Sequence, residues 1–252
     1  MAFFRSEPSA DRTTRELVHR TDPPLLQCEG VSRTFGAGER AVVAVHAATC
    51  VIHAGDRVAV MGPSGSGKST LLHLMAGLDE PSSGQLTWPA MVEKADDLFG
   101  SIAVVFQGAS LMPPLTVLEN VAFPLLLGGM TDSLAREAAA GALAALDLDD
   151  LGARLPEELS GGQAQRACVA RVLASRPRLI LADEPTGKLD HVAATHVVEV
   201  LIQAADHLGA GLVVSTHDPL MAAHLTTRWR MSDGVLDPHP SALPSPPRSG
   251  LE

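Results

Sequence analysis

Basic residues are scarce in this sequence: 19 Lys and Arg stand against 29 Asp and Glu in 252 residues, a formal charge of -10. That balance argues against nucleic acid as the main partner, because a phosphate backbone demands clustered Lys and Arg, and it disfavours attraction to anionic lipid headgroups. Cysteine is also rare. Cys28, Cys50 and Cys168 lack metal-type spacing and leave one thiol over, which fits buried small hydrophobes in a reducing compartment. Long apolar runs are missing: nowhere do about 18 consecutive apolar residues, enough for a membrane span, occur together. The most apolar window, Val121 to Leu127, is short and broken by Pro124. Ala2, Phe3 and Phe4 lead into a polar, charged run to Asp22 without the apolar core or cleavage pattern of a signal peptide, so a cytosolic location is expected.

What is present is an ordinary globular composition, 46% hydrophobic and 19% charged. Residues 1–24 are polar and arginine-bearing and end in Pro23-Pro24; they read as a flexible N-terminal extension. Residues 238–252, with Pro240, Pro244, Pro246 and Pro247 among serines, read as a disordered tail. Residues 25–237 form the folded unit.

Apolar runs at Arg57 to Met61, Ile102 to Phe106, Leu179 to Ala182 and Leu212 to Ser215 predict buried parallel strands. Helical patterns alternate with them: Val197, Leu201, Ala204 and Leu208 recur at three- and four-residue spacing until Gly209 stops the helix. The fold class is therefore α/β, a mostly parallel sheet covered by helices. Two regions interrupt the alternation. From Leu26 to Cys50, β-branched segments separated by Gly36-Ala37-Gly38 predict a small antiparallel lobe. Across residues 108–165 the chain turns helical, with Leu134, Ala138, Ala142 and Ala145 predicted on one buried face and Thr131 or Asp132 as N-cap.

The most informative stretch is Gly62-Pro63-Ser64-Gly65-Ser66-Gly67-Lys68-Ser69-Thr70, which follows an apolar strand and opens a helix. In that context it is a phosphate-binding loop. Gly62, Gly65 and Gly67 let backbone N–H groups turn toward phosphate oxygens. Lys68 places a compact charge on the β- and γ-phosphates, Ser69 offers a hydroxyl to Mg²⁺, and the helix N-terminus adds to both. A second feature is the strand Leu179 to Ala182 delivering Asp183 and Glu184 at its carboxyl end, where ligands of open α/β sheets gather. Asp183 is placed to hold Mg²⁺, and Glu184 to accept a proton from an attacking water. A third is Ser160-Gly161-Gly162-Gln163, another helix start with uncovered N–H groups. Two phosphate-seeking helix starts but one lysine-bearing loop point to a head-to-tail homodimer in which each turn covers the partner's nucleotide.

In this order the motifs resemble the nucleotide-binding subunit of an ATP-binding cassette (ABC) transporter over residues 26–236, a P-loop NTPase with an antiparallel lobe and a helical lobe carrying the signature turn. The resemblance implies ATP and Mg²⁺ as cofactors and a separate membrane permease as partner, with the chain peripheral on the inner face of the cell membrane. It also assigns Gln107 to Mg²⁺ or the attacking water, His217 to the γ-phosphate, Asp190 to the loop crossing the dimer, and Phe35 to adenine stacking. Segments such as Leu111-Met112-Pro113-Pro114-Leu115 and Leu155-Pro156-Glu157-Glu158 resemble the macrolide-export and lipoprotein-release group. Three departures stand out: Lys188 replaces the usual Asn, Ala164 replaces Gln, and the stretch from Gly84 to Gln107 is short and keeps only Lys94 as a basic residue. Soluble relatives that act in DNA repair or on ribosomes tend to have paired cassettes, coiled coils or basic surfaces, none of which is seen. A cassette that gates a cell-envelope machine without transport is the alternative reading. The surface for the membrane partner is expected over Gln107 to about Asn120 and the helical region after it, with Leu111, Met112 and Leu115 as exposed apolar contacts.

Overall fold

Three strands are apolar at nearly every position because helices cover both of their faces. They are β3 (Arg57–Met61), β6 (Leu179–Asp183) and β7 (Gly211–Thr216), the last two buried throughout. The computed structural model describes residues 22–91, 100–108, 110–187 and 189–239. Lys94, Lys188 and residues 1–21 and 240–252 lie outside them.

Around these strands run β5 (Ile102–Val105) and β8 (Thr227–Ser232), all parallel, with β9 (Val235–Asp237) antiparallel to β8. The antiparallel lobe consists of β1 (Leu26–Phe35), β2 (Val42–Ile52) and β4 (Ser83–Thr87), with β1 in the middle. The lobe is continuous with the main sheet: the order is β4-β1-β2-β9-β8-β3-β7-β6-β5, joined at one parallel pair, His46 with Val235.

Helix α1 (Lys68–Met75) lies between the lobe and the main sheet, where Leu71, Leu72, Leu74 and Met75 are completely buried with Leu26, Val31, Val45 and Ile52. The opposite core packs α5 (His191–Leu208) and α4 (Gly161–Ala174) against the sheet, with α2 (Val117–Leu127) and α3 (Asp132–Ala144) packed on α4. The short α6 (Pro219–Ala223) follows β7.

Two expectations need correction. Helix α3 buries Ala135, Ala139, Ala142 and Leu143, whereas Leu134 is 56% exposed. With alanines at most positions the hydrophobic period is nearly flat, and packing on α2 and α4 selects the face. Thr131 is the N-cap by position, but its side chain makes no capping bond. Leu111, Met112 and Leu115 are half-buried, not exposed. The cause is Asn120, fully buried on α2, whose amide donates to the carbonyls of Met112, Leu115 and Thr116 and accepts from the Met112 N–H at 2.6 Å. These bonds fold the loop down onto α2. The lobe instead exposes Phe123, Leu126, Leu127, Met130 and Leu134.

Candidate functional site

Strand β3 ends at Met61 and α1 begins at Lys68, so residues 62–67 turn at the carboxyl edge of the sheet. Gly65 and Gly67 have φ of +79° and +99°, which L side chains rarely adopt. The N–H groups of Gly65, Gly67, Lys68, Ser69 and Thr70 have no acceptor among the described residues. They surround a cavity of about 190 Å³ that is also lined by Ala44, Ser64, Gln107 and Glu184. Unpaired donors at a helix N-terminus make this a seat for an anion.

Gly62 is needed for another reason. It does not have a positive φ, but a Cβ there would lie 2.1 Å from the Met231 carbonyl oxygen and 2.8 Å from Ser66 Oγ. On Gly67 a Cβ would lie 2.1 Å from the Ala44 carbonyl oxygen. The turn between β8 and β9 closes the junction: Gly234 N–H donates to the Ser66 carbonyl at 3.0 Å, and its carbonyl accepts from His46 N–H at 2.8 Å. The phosphate loop is thus clamped between β2 and β8.

Lys68 is 5% exposed, and its Nζ donates to the carbonyls of Gly62 and Pro63 at 2.9 and 3.0 Å. It also lies 3.6 Å from Glu184 Oε1. Glu184 has φ +44°, a strained conformation for a non-glycine residue. Its N–H is shared between the carbonyl of Ser215, at 3.1 Å, and its hydroxyl, at 3.0 Å. The other carboxylate oxygen, Oε2, lies 2.7 Å from His217 Nδ1. A carboxylate only accepts, so the Nδ1–H donates and the remaining ring nitrogen stays available.

Asp183 is 3% exposed and its Oδ1 accepts from the Ser215 hydroxyl at 2.5 Å. Ser215, itself wholly buried, therefore holds both acids, a role that sequence reading missed. Its signal lies in the register that sets Asp183 beside Ser215 across β6 and β7. Ala44 was missed as well, since it reaches the cavity only through the loop clamp. The backbone just before Gln107 is anchored by Gln165 of α4, whose Nε2 donates to the Phe106 carbonyl at 3.3 Å.

Several predicted residues lie away from this cavity. Phe35, at the end of β1, is 43% exposed and has the Arg33 guanidinium 4.6 Å from its ring centroid. Ser160 caps α4 reciprocally: its hydroxyl accepts from Gln163 N–H at 3.2 Å, and its own N–H donates to Gln163 Oε1 at 2.9 Å. Open space adjoins Gly161, whereas a Cβ on Gly162 would come 3.1 Å from Leu189. Asp190 caps α5, accepting from Ala193 N–H at 2.9 Å. Ala164 is buried on the inner side of α4.

The sequence matches the family described as ABC transporter over residues 45–187. The chain belongs to the ABC transporter family. This cassette is 39% identical over 84% of its length to the lipoprotein-releasing system ATP-binding protein LolD of Chromohalobacter salexigens, covering 92% of that protein. It is 40% identical, over 89% of its length, to the macrolide export ATP-binding/permease protein MacB of Burkholderia pseudomallei, of which it spans 36%. Its fold matches a dimeric ATP-binding cassette in a post-hydrolysis state bound to ADP and Pi, with TM-score 0.77 and 34% identity over 84% of this chain and 96% of that one. No helix among the described residues is long and apolar enough to cross a membrane.

Proposed function

We propose that this cassette binds and hydrolyses ATP as the energising subunit of a transporter, dimerising head to tail around two nucleotides and driving a separate permease from the inner membrane face. One observation carries the reading. Lys68 and Glu184 line one cavity and His217 is joined to it by its contact with Glu184, while Ser160, Gly161, Gly162 and Gln163 stay outside it. The second anion-binding helix start thus needs another copy's phosphate loop to act on.

Bound Mg-ATP supplies the phosphoryl group and the divalent charge. Among the described residues no group of three or more His, Cys, Asp or Glu could hold a metal alone. A hard cation would therefore share phosphate oxygens with Ser69, Gln107 and Asp183, as Mg²⁺ does at nucleotide sites. The open N–H groups and Lys68 grip the phosphates, which takes Lys68 away from Glu184. The freed carboxylate orients a water and accepts its proton, and His217 steadies it from the other side. Phosphoryl transfer is mostly positioning and electrostatics, so these groups act by being held in place.

The permease would dock on the helical lobe. Phe123, Leu127 and Met130 are exposed there, beside a cleft of about 780 Å³ lined by Phe106, Pro124, Leu125 and Met130. This surface lies in the helical region after Asn120 that was expected to take part, without the exposed Leu111 and Leu115 expected beside it. The names of the relatives, a lipoprotein-releasing system and a macrolide export protein, favour transport over gating without transport. In a test, Glu184→Gln keeps ATP binding, accumulates a dimer by light scattering, and lowers hydrolysis about 100-fold or more. A variant that stays monomeric with saturating Mg-ATP contradicts the dimer.

A further inference from the structure

Strand β8 carries arginines at alternate positions, Arg228 and Arg230, on either side of the buried Trp229. Alternation puts both on one face of the sheet, beside Ala59 and Met61 of β3 in register. With His217 and the start of the phosphate loop, Gly62 and Pro63, they line a cavity of about 310 Å³. No Asp or Glu lines it. Neither arginine has a hydrogen-bond or ion-pair partner among the described residues. The carboxylates nearest in register and sequence each accept a backbone N–H: Asp237, opposite Arg230 across β8 and β9, from His239 at 3.0 Å, and Asp218 from Leu220 at 2.8 Å.

The two guanidinium groups are exposed on alternate residues of the strand, about 7 Å apart, and repel. An oxyanion with two negative charges bridges them best, since each guanidinium offers a fork of donors to its oxygens. A single protein carboxylate brings half that charge. His217 fixes the location, because its Nδ1 is 2.7 Å from Glu184 while its ring also borders this cavity. The two cavities are therefore neighbours, joined by the contact between His217 and Glu184.

We propose that Arg228 and Arg230 form a binding site for inorganic phosphate, separate from the nucleotide cavity and reached past His217. That the phosphate is the product of hydrolysis rests on the function proposed above; the site itself does not.

Equilibrium dialysis of radiolabelled inorganic phosphate against the nucleotide-free chain tests it. Two equivalents per chain are expected, one in the phosphate loop and one here. Arg228→Gln with Arg230→Gln removes one equivalent and leaves affinity for a fluorescent ATP analogue intact. Arg228→Gln alone weakens the second equivalent about tenfold, the effect of one charge-assisted hydrogen bond. Equal stoichiometry in wild type and double variant overturns the site. So does a double variant altered only in ATP-driven dimerisation, which assigns the arginines to carboxylates of a second copy. If the double glutamine variant does not fold, Arg228→Lys with Arg230→Lys keeps the charge without the fork. Weaker phosphate binding then supports the site, and unchanged affinity overturns it. A wild-type chain that binds two phosphates but does not hydrolyse ATP would count against the ATPase reading and not against this one.

Discussion

Ser215→Ala tests whether a buried hydroxyl holds the two acids in place. Ser215 has no solvent exposure, its hydroxyl donates to Asp183 at 2.5 Å, and it accepts from Glu184 N–H at 3.0 Å. The losses are unequal. Glu184 N–H keeps the Ser215 carbonyl at 3.1 Å, but Asp183 Oδ1 is left buried without that donor. A hydrogen bond to a charged group contributes about 1.5–3 kcal/mol, so a destabilisation of about 2 kcal/mol is expected. For a chain of this size that lowers the thermal midpoint by roughly 4–8 °C. Where the same loss falls on the transition state, turnover drops about thirtyfold.

Two measurements separate these effects: thermal unfolding followed by circular dichroism without nucleotide, and kcat at saturating ATP across a Mg²⁺ titration. Ser215→Thr is the control, because it restores the hydroxyl but adds a methyl group to a filled site. It should recover part of the turnover while staying less stable than wild type. An alanine variant with wild-type midpoint and turnover would refute the reasoning. Equal turnover in Ala and Thr would show that packing, not the hydrogen bond, matters at this position.

The phosphate-loop glycines separate by cause. Gly65→Ala meets nothing within 4 Å and costs about 1–2 kcal/mol for its positive φ, so ATP binding survives; Gly67→Ala also drives a Cβ against the Ala44 carbonyl and should abolish binding of a fluorescent ATP analogue. Equal effects of the two would contradict the clamp. Glu119 is held below its ordinary value of 4.5, chiefly by the Thr116 N–H, then by the Thr116 hydroxyl, with Arg136 adding. A lowered value means stability that is present above 4.5 and lost as pH falls through the folded value, so Glu119→Gln should unfold at a lower temperature than wild type at neutral pH and alongside it in acid. The same offset at both pH values would count against it. Phe123→Ser with Leu127→Ser should leave basal hydrolysis unchanged and remove stimulation by the co-purified permease; full stimulation would move the docking surface elsewhere.

Local order was legible where periodicity and motif agreed. The strand over Arg57 to Met61 was predicted with its observed bounds, and the helix after Ser160 ends at Ala174 with Ser175 as cap. Where neighbouring residues are alike, the pattern carried little information. In α3 nearly every inward position is an alanine, and the true face, through Ala135 and Ala139, differs from the predicted one by a single residue. The loop from Leu111 to Leu115 was misread because apolar residues near a motif look like a docking patch. One buried asparagine eight residues beyond Met112 decides otherwise. Ser215 was invisible for a related reason: its role depends on Asp183 lying opposite it in the next strand, a relation no local window contains.

The phosphate loop shows how a motif can be recognised and still be explained incompletely. Its glycines are commonly assigned to the ligand, and Gly65 fits that account, with its positive φ and open surroundings. Gly62 does not, because it lacks a positive φ and the Met231 carbonyl, with Ser66 Oγ, forbids a side chain. Two strands distant in sequence thus press on the loop that must hold the phosphates. Lys68, already bonded to the Gly62 and Pro63 carbonyls, is aimed before any ligand arrives. A site assembled in this way loses little freedom on binding, so its affinity depends on the β8–β9 turn as much as on residues that touch phosphate. Gly234 has φ +79°, and a Cβ there would lie 2.9 Å from the His46 ring. It therefore positions the glycine-rich loop through the Ser66 carbonyl, though it does not line the cavity.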